Sequence, residues 1–325
     1  MKIAFAGKGG SGKTTLSSLF IRHLAAAGAQ VVAIDADINQ HLGTALGLDD
    51  GAAAAIPAMG DHLPKIKEYL RGTNPRITSA DAMVKTTPPG RGSRLLRPGG
   101  TDPVHASLAV EVAGARLMVT GLFSEDDLGV ACYHSKTGAV ELYLNHLVDG
   151  PGQYVVVDCT AGADSFASGL FTRFDLTFLV TEPTRKSVSV YRQWASYAAD
   201  YGVAVKVIGN KVNGPDDIAF LREHTGGALL ACISQSAAIR ALEQGQPFTL
   251  SDLGHAGQAA LATLRDAADA RGKDWATFTR QAAHFHLKNA RAWANAATGE
   301  ILEAQIDPDF VLGPQALAAA AAGDH

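Results

Sequence analysis

Short apolar runs bounded by polar turns recur along this chain. They are Lys2-Ile3-Ala4-Phe5-Ala6, Val31-Val32-Ala33-Ile34-Asp35, Arg116 to Thr120, Tyr154-Val155-Val156-Val157-Asp158, Leu176 to Val180 and Val203 to Ile208. Runs of this length and composition read as strands buried on both faces. After the first of them, Leu16, Leu19, Phe20, His23 and Leu24 fall at helical spacing, and Gly28 supplies the stop. Further helices are expected near residues 137–148, 184–200 and 236–244. Strands that alternate with helices predict a doubly wound, mostly parallel α/β sheet covered on both faces. A ligand then belongs at the carboxyl ends of the strands.

Two stretches break this rhythm. Residues 50–110 form an insertion whose middle, about 86–103, is rich in proline, glycine and arginine. It reads as a flexible, solvated, locally basic loop, with a lid or docking arm as the alternative. From residue 274 onward a helical appendage is expected, through Trp275, Phe278, Phe285, Leu287 and Trp293, with an alanine-rich end that frays. The main domain would then span 1–273 and the appendage 274–325. His284 and His286, two apart on that helix, point to different faces and read as structural.

Composition narrows the class. With 325 residues and 47% hydrophobic content the chain can build a sizeable core, and a net charge of −4 argues for neither nucleic acid nor membrane. Arg91, Arg94 and Arg97 are too few and too loop-borne for DNA binding. No apolar run reaches the roughly 18 residues needed to span a bilayer. Three cysteines form no disulfide framework. Cys159 and Cys232, at or after apolar strands, are expected to be buried. The chain opens on a strand rather than a signal peptide, so a cytoplasmic protein is expected.

The chemistry starts directly after the first strand. Gly7-Lys8-Gly9-Gly10-Ser11-Gly12-Lys13-Thr14-Thr15 contains the phosphate-loop pattern G-x-x-x-x-G-K-[ST]. Glycines there let the N–H groups of Gly9, Gly10, Ser11 and Gly12 face a phosphate-sized cup, and the following helix adds its positive end. In that arrangement Lys13 bridges the β- and γ-phosphates of ATP, Thr14 ligates Mg²⁺ and Thr15 reaches the α-phosphate.

Lys8 adds a second lysine to the loop. Lys-Gly-Gly-x-Gly-Lys-Thr-Thr resembles the deviant phosphate loop of the MinD/ParA/nitrogenase-iron-protein superfamily, within the SIMIBI class of phosphate-loop proteins. The resemblance covers about residues 1–250. It implies an ATP-dependent homodimer in which Lys8 reaches the partner's nucleotide and supplies positive charge in trans. Ile34-Asp35-Ala36-Asp37 matches the first switch, so Asp37 would position the attacking water and join the Mg²⁺ shell, with Asp35 structural. Val155-Val156-Val157-Asp158 and Cys159-Thr160-Ala161-Gly162 match the Walker B strand and second switch. Asp158 would hold a Mg²⁺-bound water, and Gly162 would donate its N–H to the γ-phosphate. Ile208-Gly209-Asn210-Lys211-Val212 matches the segment whose asparagine recognises adenine. The loop Ile233 to Ile239 lacks the Pro-Asp that the family often carries there.

Within the superfamily the chain resembles CooC-type ATPases, which insert nickel into carbon monoxide dehydrogenase. Asp158-Cys-Thr-Ala-Gly resembles their D-x-E-A-G stretch, with Thr160 in place of glutamate. Thr181-Glu182-Pro183-Thr184-Arg185-Lys186-Ser187 resembles their E-P-x-x-x-S turn. Gly129-Val130-Ala131-Cys132-Tyr133-His134 stands where they carry G-x-x-C-x-C. The resemblance implies a metallocluster maturation factor with a metalloenzyme client. Two copies of Cys132 and His134 at the dimer axis could offer four S/N donors to Zn²⁺ or Ni²⁺. The alternatives are a buried small cysteine beside a loop histidine, and a ParA- or MinD-like positioning switch without metal. An ATP-dependent synthetase is a third reading, for which no substrate pocket stands out.

Overall fold

A computed structural model of the chain describes residues 1–122, 133–162, 166 and 169–322. Eight strands form a single sheet: β1 (Lys2–Gly7), β2 (Gln30–Ala36), β3 (Val110–Val112), β4 (Ala115–Val119), β5 (Gln153–Cys159), β6 (Leu176–Thr181), β7 (Val205–Val212) and β8 (Leu229–Ser234). Their spatial order is β3-β4-β2-β5-β1-β6-β7-β8. Every pair is parallel except β3 with β4, which adds an antiparallel edge that the apolar pattern did not announce.

The strands read as unbroken apolar runs because each face has its own core. From β1, Ile3 and Phe5 pack on one side, with Leu16, Leu19 and Phe20 of the helix Lys13–Ala26. Ala4 and Ala6 face the other side, with Val140 and Tyr143 of the helix Tyr133–Asn145. β2 and β5 divide their side chains in the same period of two. The chain enters at the middle of the sheet, with β5 on one side of β1 and β6 on the other. That is the switch point where a crevice opens at the strand ends.

Residues 86–100 differ from the expected solvated loop. Thr86, Thr87, Ser93 and Leu96 are buried. The Thr86 hydroxyl meets His286 Nδ1 at 3.2 Å, and the Thr87 hydroxyl donates to Gln305 Oε1 at 3.1 Å. Arg91 Nε pairs with Asp307 at 2.8 Å. Thr86, Thr87 and Arg91 find these partners some two hundred residues downstream, Asn74 donates to the Ser93 hydroxyl at 2.9 Å, and the N–H groups of Arg94 and Leu96 reach the Leu70 and His146 carbonyls, so polar composition does not produce exposure.

The C-terminal residues join the main core at Phe285, while Phe278 and Leu312 form a smaller cluster with Val148, and Ala290, Ala294 and Leu302 another with Val84. Phe285, on the helix Trp275–Asn289, belongs to the main core, its ring 5.5 Å from Phe171 and 5.2 Å from Tyr201. His286 is fully buried, and its Nε2 lies 2.9 Å from the Leu302 carbonyl, which agrees with a structural role. The alanine-rich end, expected to fray, forms the helix Pro314–Ala322. Among the described residues no helix is long and apolar enough to cross a membrane.

Candidate functional site

The loop Gly7–Gly12 leaves β1 at the switch point and turns into the helix that starts at Lys13. Two of its glycines are sterically required. A Cβ on Gly7 would stand 2.5 Å from the Val180 carbonyl oxygen, and one on Gly12, at φ +92°, would overlap Asn210 Nδ2. Ser11 N–H closes the turn onto the Lys8 carbonyl at 3.1 Å. Behind the loop, Asn210 Nδ2 donates to the Ser11 carbonyl at 2.7 Å and Lys211 Nζ to the Gly10 carbonyl at 2.6 Å. Asn210, expected to recognise adenine, and Lys211, expected beside it at the nucleotide, thus brace the loop from β7.

Three aspartates gather under the loop from neighbouring strand ends. Asp35 and Asp158 are in register across β2 and β5, and Asp37 follows β2. Asp35 is spent on backbone, accepting N–H bonds from Leu42 at 2.8 Å and Asp37 at 3.2 Å. Burial first, and then the Asp158 charge, push its pKa well above the ordinary carboxylate value. Asp37 faces the buried Lys13, with Nζ and Oδ2 4.0 Å apart, and Asn39 donates twice to its Oδ1.

Asp158 is the unusual member. It is completely buried, and no hydrogen bond of ordinary geometry reaches either oxygen. Burial pushes its pKa up to about 7, and Asp37 adds to the rise. The Thr14 hydroxyl and Lys13 lie near enough to pull it partly back. A carboxylate orphaned in this way, beside a hydroxyl and a second carboxylate, is a set of hard oxygen donors suited to Mg²⁺. Asp158, Asp37 and Thr14 are the residues that would hold it.

The second switch touches the same loop. Gly162, at φ +81°, donates its N–H to the Gly7 carbonyl at 2.9 Å, and its own carbonyl accepts from Trp194 Nε1 at 2.9 Å. Thr15 donates to Glu243 Oε1 at 2.9 Å. Lys8 Nζ pairs with Glu182 Oε2 at 3.2 Å within its own subunit. Glu182, Trp194 and Glu243 escaped assignment from sequence. The Glu-Pro turn after β6 was the only signal among them, because a carboxylate at a strand end shows its partners only once β1, β6 and β7 lie side by side. Cys159 is buried as expected, whereas Cys232 is only half-buried. Cys132 lies outside the described residues, as does the side chain of His134. No group of three or more His, Cys, Asp or Glu able to hold a metal occurs among the described residues.

The CobQ/CobB/MinD/ParA nucleotide binding domain matches residues 2–248. The chain is 30% identical over 246 residues to the carbon monoxide dehydrogenase accessory protein CooC of Rhodospirillum rubrum, covering 75% of this chain and 87% of that protein. Among solved structures, the cell division protein MinD of Aquifex aeolicus superposes with a TM-score of 0.54 at 19% identity, over 84% of this chain and 98% of MinD. MinD of Pyrococcus horikoshii, complexed with Mg-ADP, gives 0.52 at 17% identity, over 83% of this chain and 96% of that one. The loop braced at the switch point thus sits in a sheet that these proteins share, and the chain belongs to the CobQ/CobB/MinD/ParA nucleotide-binding family.

Proposed function

We propose that the protein is a Mg²⁺-ATP-dependent ATPase that dimerises with nucleotide and serves the maturation of a metalloenzyme, as a metal-delivery factor of the CooC type. The observation that carries the nucleotide chemistry is Asp158, an orphaned buried carboxylate set against Thr14, Lys13 and Asp37. The loop amides and Lys13 hold phosphates, and Asp37 orients the attacking water in line with the γ-phosphate. Mg²⁺ at this site would neutralise charge that builds on the phosphate oxygens. Gly162, whose N–H lies on the Gly7 carbonyl, would transfer that donor to the γ-phosphate and register its loss. Lys8 would act across the dimer, supplying positive charge to the partner's nucleotide.

The maturation role rests on the identity with CooC over 246 residues and on Cys132 and His134, which would meet their copies at the dimer axis around Ni²⁺ or Zn²⁺. Light scattering coupled to elemental analysis, with and without Mg²⁺-ATP, tests the whole reading. One transition metal per dimer, appearing with the dimer, is the expected result. An ATP-induced dimer without metal would turn the assignment to a ParA- or MinD-like positioning switch. A monomer under all conditions would overturn both.

A further inference from the structure

Glu182 lies one residue beyond β6, where β6 separates β1 from β7. The turn that carries it is held by its own capping, with Glu182 N–H donating to Ser187 Oγ at 3.0 Å and Thr184 capping the helix Arg185–Asp200. From that fixed base its carboxylate forks. Oε2 meets Lys8 Nζ at 3.2 Å, and Oε1 meets Lys211 Nζ at 3.1 Å. Lys211 in turn holds the Gly10 carbonyl at 2.6 Å, and it does so from a left-handed backbone at φ +57° that a lysine adopts only under constraint. One carboxylate therefore ties the second lysine of the phosphate loop to the strand that braces the loop.

The geometry points to Glu182 as a positioning residue that retains Lys8 on its own subunit and opposes nucleotide-driven dimerisation until Lys8 is released. This inference rests on the trans role proposed for Lys8. The latch requires the two contacts to compete, with Lys8 Nζ leaving Glu182 as it reaches a nucleotide in another subunit. The Lys8 side chain is about one-third exposed, so the pair is solvated and exchangeable rather than locked. The γ-phosphate of a partner's ATP carries more negative charge than one carboxylate and can draw the lysine away. Such a latch sets the balance between monomer and dimer without blocking it.

The dimer dissociation constant, measured by sedimentation with Mg²⁺ and a slowly hydrolysed ATP analogue, tests the idea. Glu182→Gln should tighten the dimer roughly two- to fivefold, the range expected for loss of one solvated ion pair. Glu182→Asp, which keeps the charge, should return it toward the wild-type value. An unchanged or weaker Glu182→Gln dimer would overturn the latch. The underlying reading is checked separately, since Lys8→Gln that dimerises like wild type removes the trans lysine whatever Glu182 does. A measurement without mutation at Glu182 covers the case of misfolding. The Nζ resonance of Lys8, assigned by comparison with Lys8→Gln, should shift when the analogue-bound dimer forms, and a resonance that stays fixed would also overturn the proposal.

Discussion

Replacing Asp158 by asparagine should stabilise the protein in the absence of metal and nucleotide, because it removes a buried charge that the fold does not satisfy. Burial, reinforced by Asp37, moves this carboxyl from 3.8 up to about 7. A carboxyl whose folded pKa lies above its unfolded one holds its proton more tightly in the native state. Stability is then greatest at low pH and is lost as pH rises from near 3.8 through about 7. Each tenfold change in proton affinity is worth a little over 1 kcal/mol, so the loss amounts to about 4 kcal/mol, more than half of it between pH 5 and 8. Asparagine keeps the shape of the side chain and does not ionise. Part of the upward push on Asp35 also comes from Asp158, so the substitution relieves that neighbour in the same direction. Urea unfolding in EDTA at pH 5 and pH 8 reads the difference directly. Wild type should lose about 2–3 kcal/mol relative to Asp158→Asn over that interval. Added Mg²⁺-nucleotide should recover the loss in wild type and not in the variant. Parallel pH profiles for the two proteins would refute the claim that Asp158 is an uncompensated carboxylate waiting for a cation.

Other substitutions probe other parts of the argument. Gly12→Ala places a methyl on Asn210 in a left-handed conformation, so it should cost about 1–3 kcal/mol and weaken ATP binding by roughly tenfold or more in calorimetric titration. Wild-type affinity in that variant would mean that the loop does not need the Asn210 brace. Phe285→Ala should destabilise the whole chain by about 3–5 kcal/mol in a single cooperative transition, because Phe285 is packed in the main core. A separate early transition would instead mark the C-terminal segment as an independent unit. Cys132→Ala should abolish transition-metal binding while leaving ATP binding by the monomer intact, and stoichiometric metal in the variant would place that site elsewhere.

Much of this molecule was legible from local pattern. The apolar runs at β1, β2, β5 and β6 announced a parallel sheet because strands buried on both faces have no polar side to show. The phosphate loop was legible from its motif spacing and from the backbone freedom of its glycines, whereas the contacts that crowd Gly7 and Gly12, with Val180 and Asn210, come from β6 and β7. Asp35 and Asp158 could each be placed at a strand end, since a single acidic residue closing an apolar run is visible without a partner.

What remained hidden depends on residues far apart in the chain. The stretch 86–100 looks like a solvated loop by composition, and it is buried because Asn74, His286, Gln305 and Asp307 pair with its hydroxyls and with Arg91. Glu182 carried no mark beyond its turn, yet it holds Lys8 and Lys211 together because β6 lies between β1 and β7. The raised proton affinity of Asp158 likewise arises from burial, with Asp37 adding to it, rather than from its own motif. The sequence by itself determined the elements and the phosphate-binding loop, since period, glycine backbone freedom and motif spacing are local properties. The tertiary structure alone decided burial, ion-pair partners and proton affinity, since these depend on which distant segments the sheet order brings within a few ångströms.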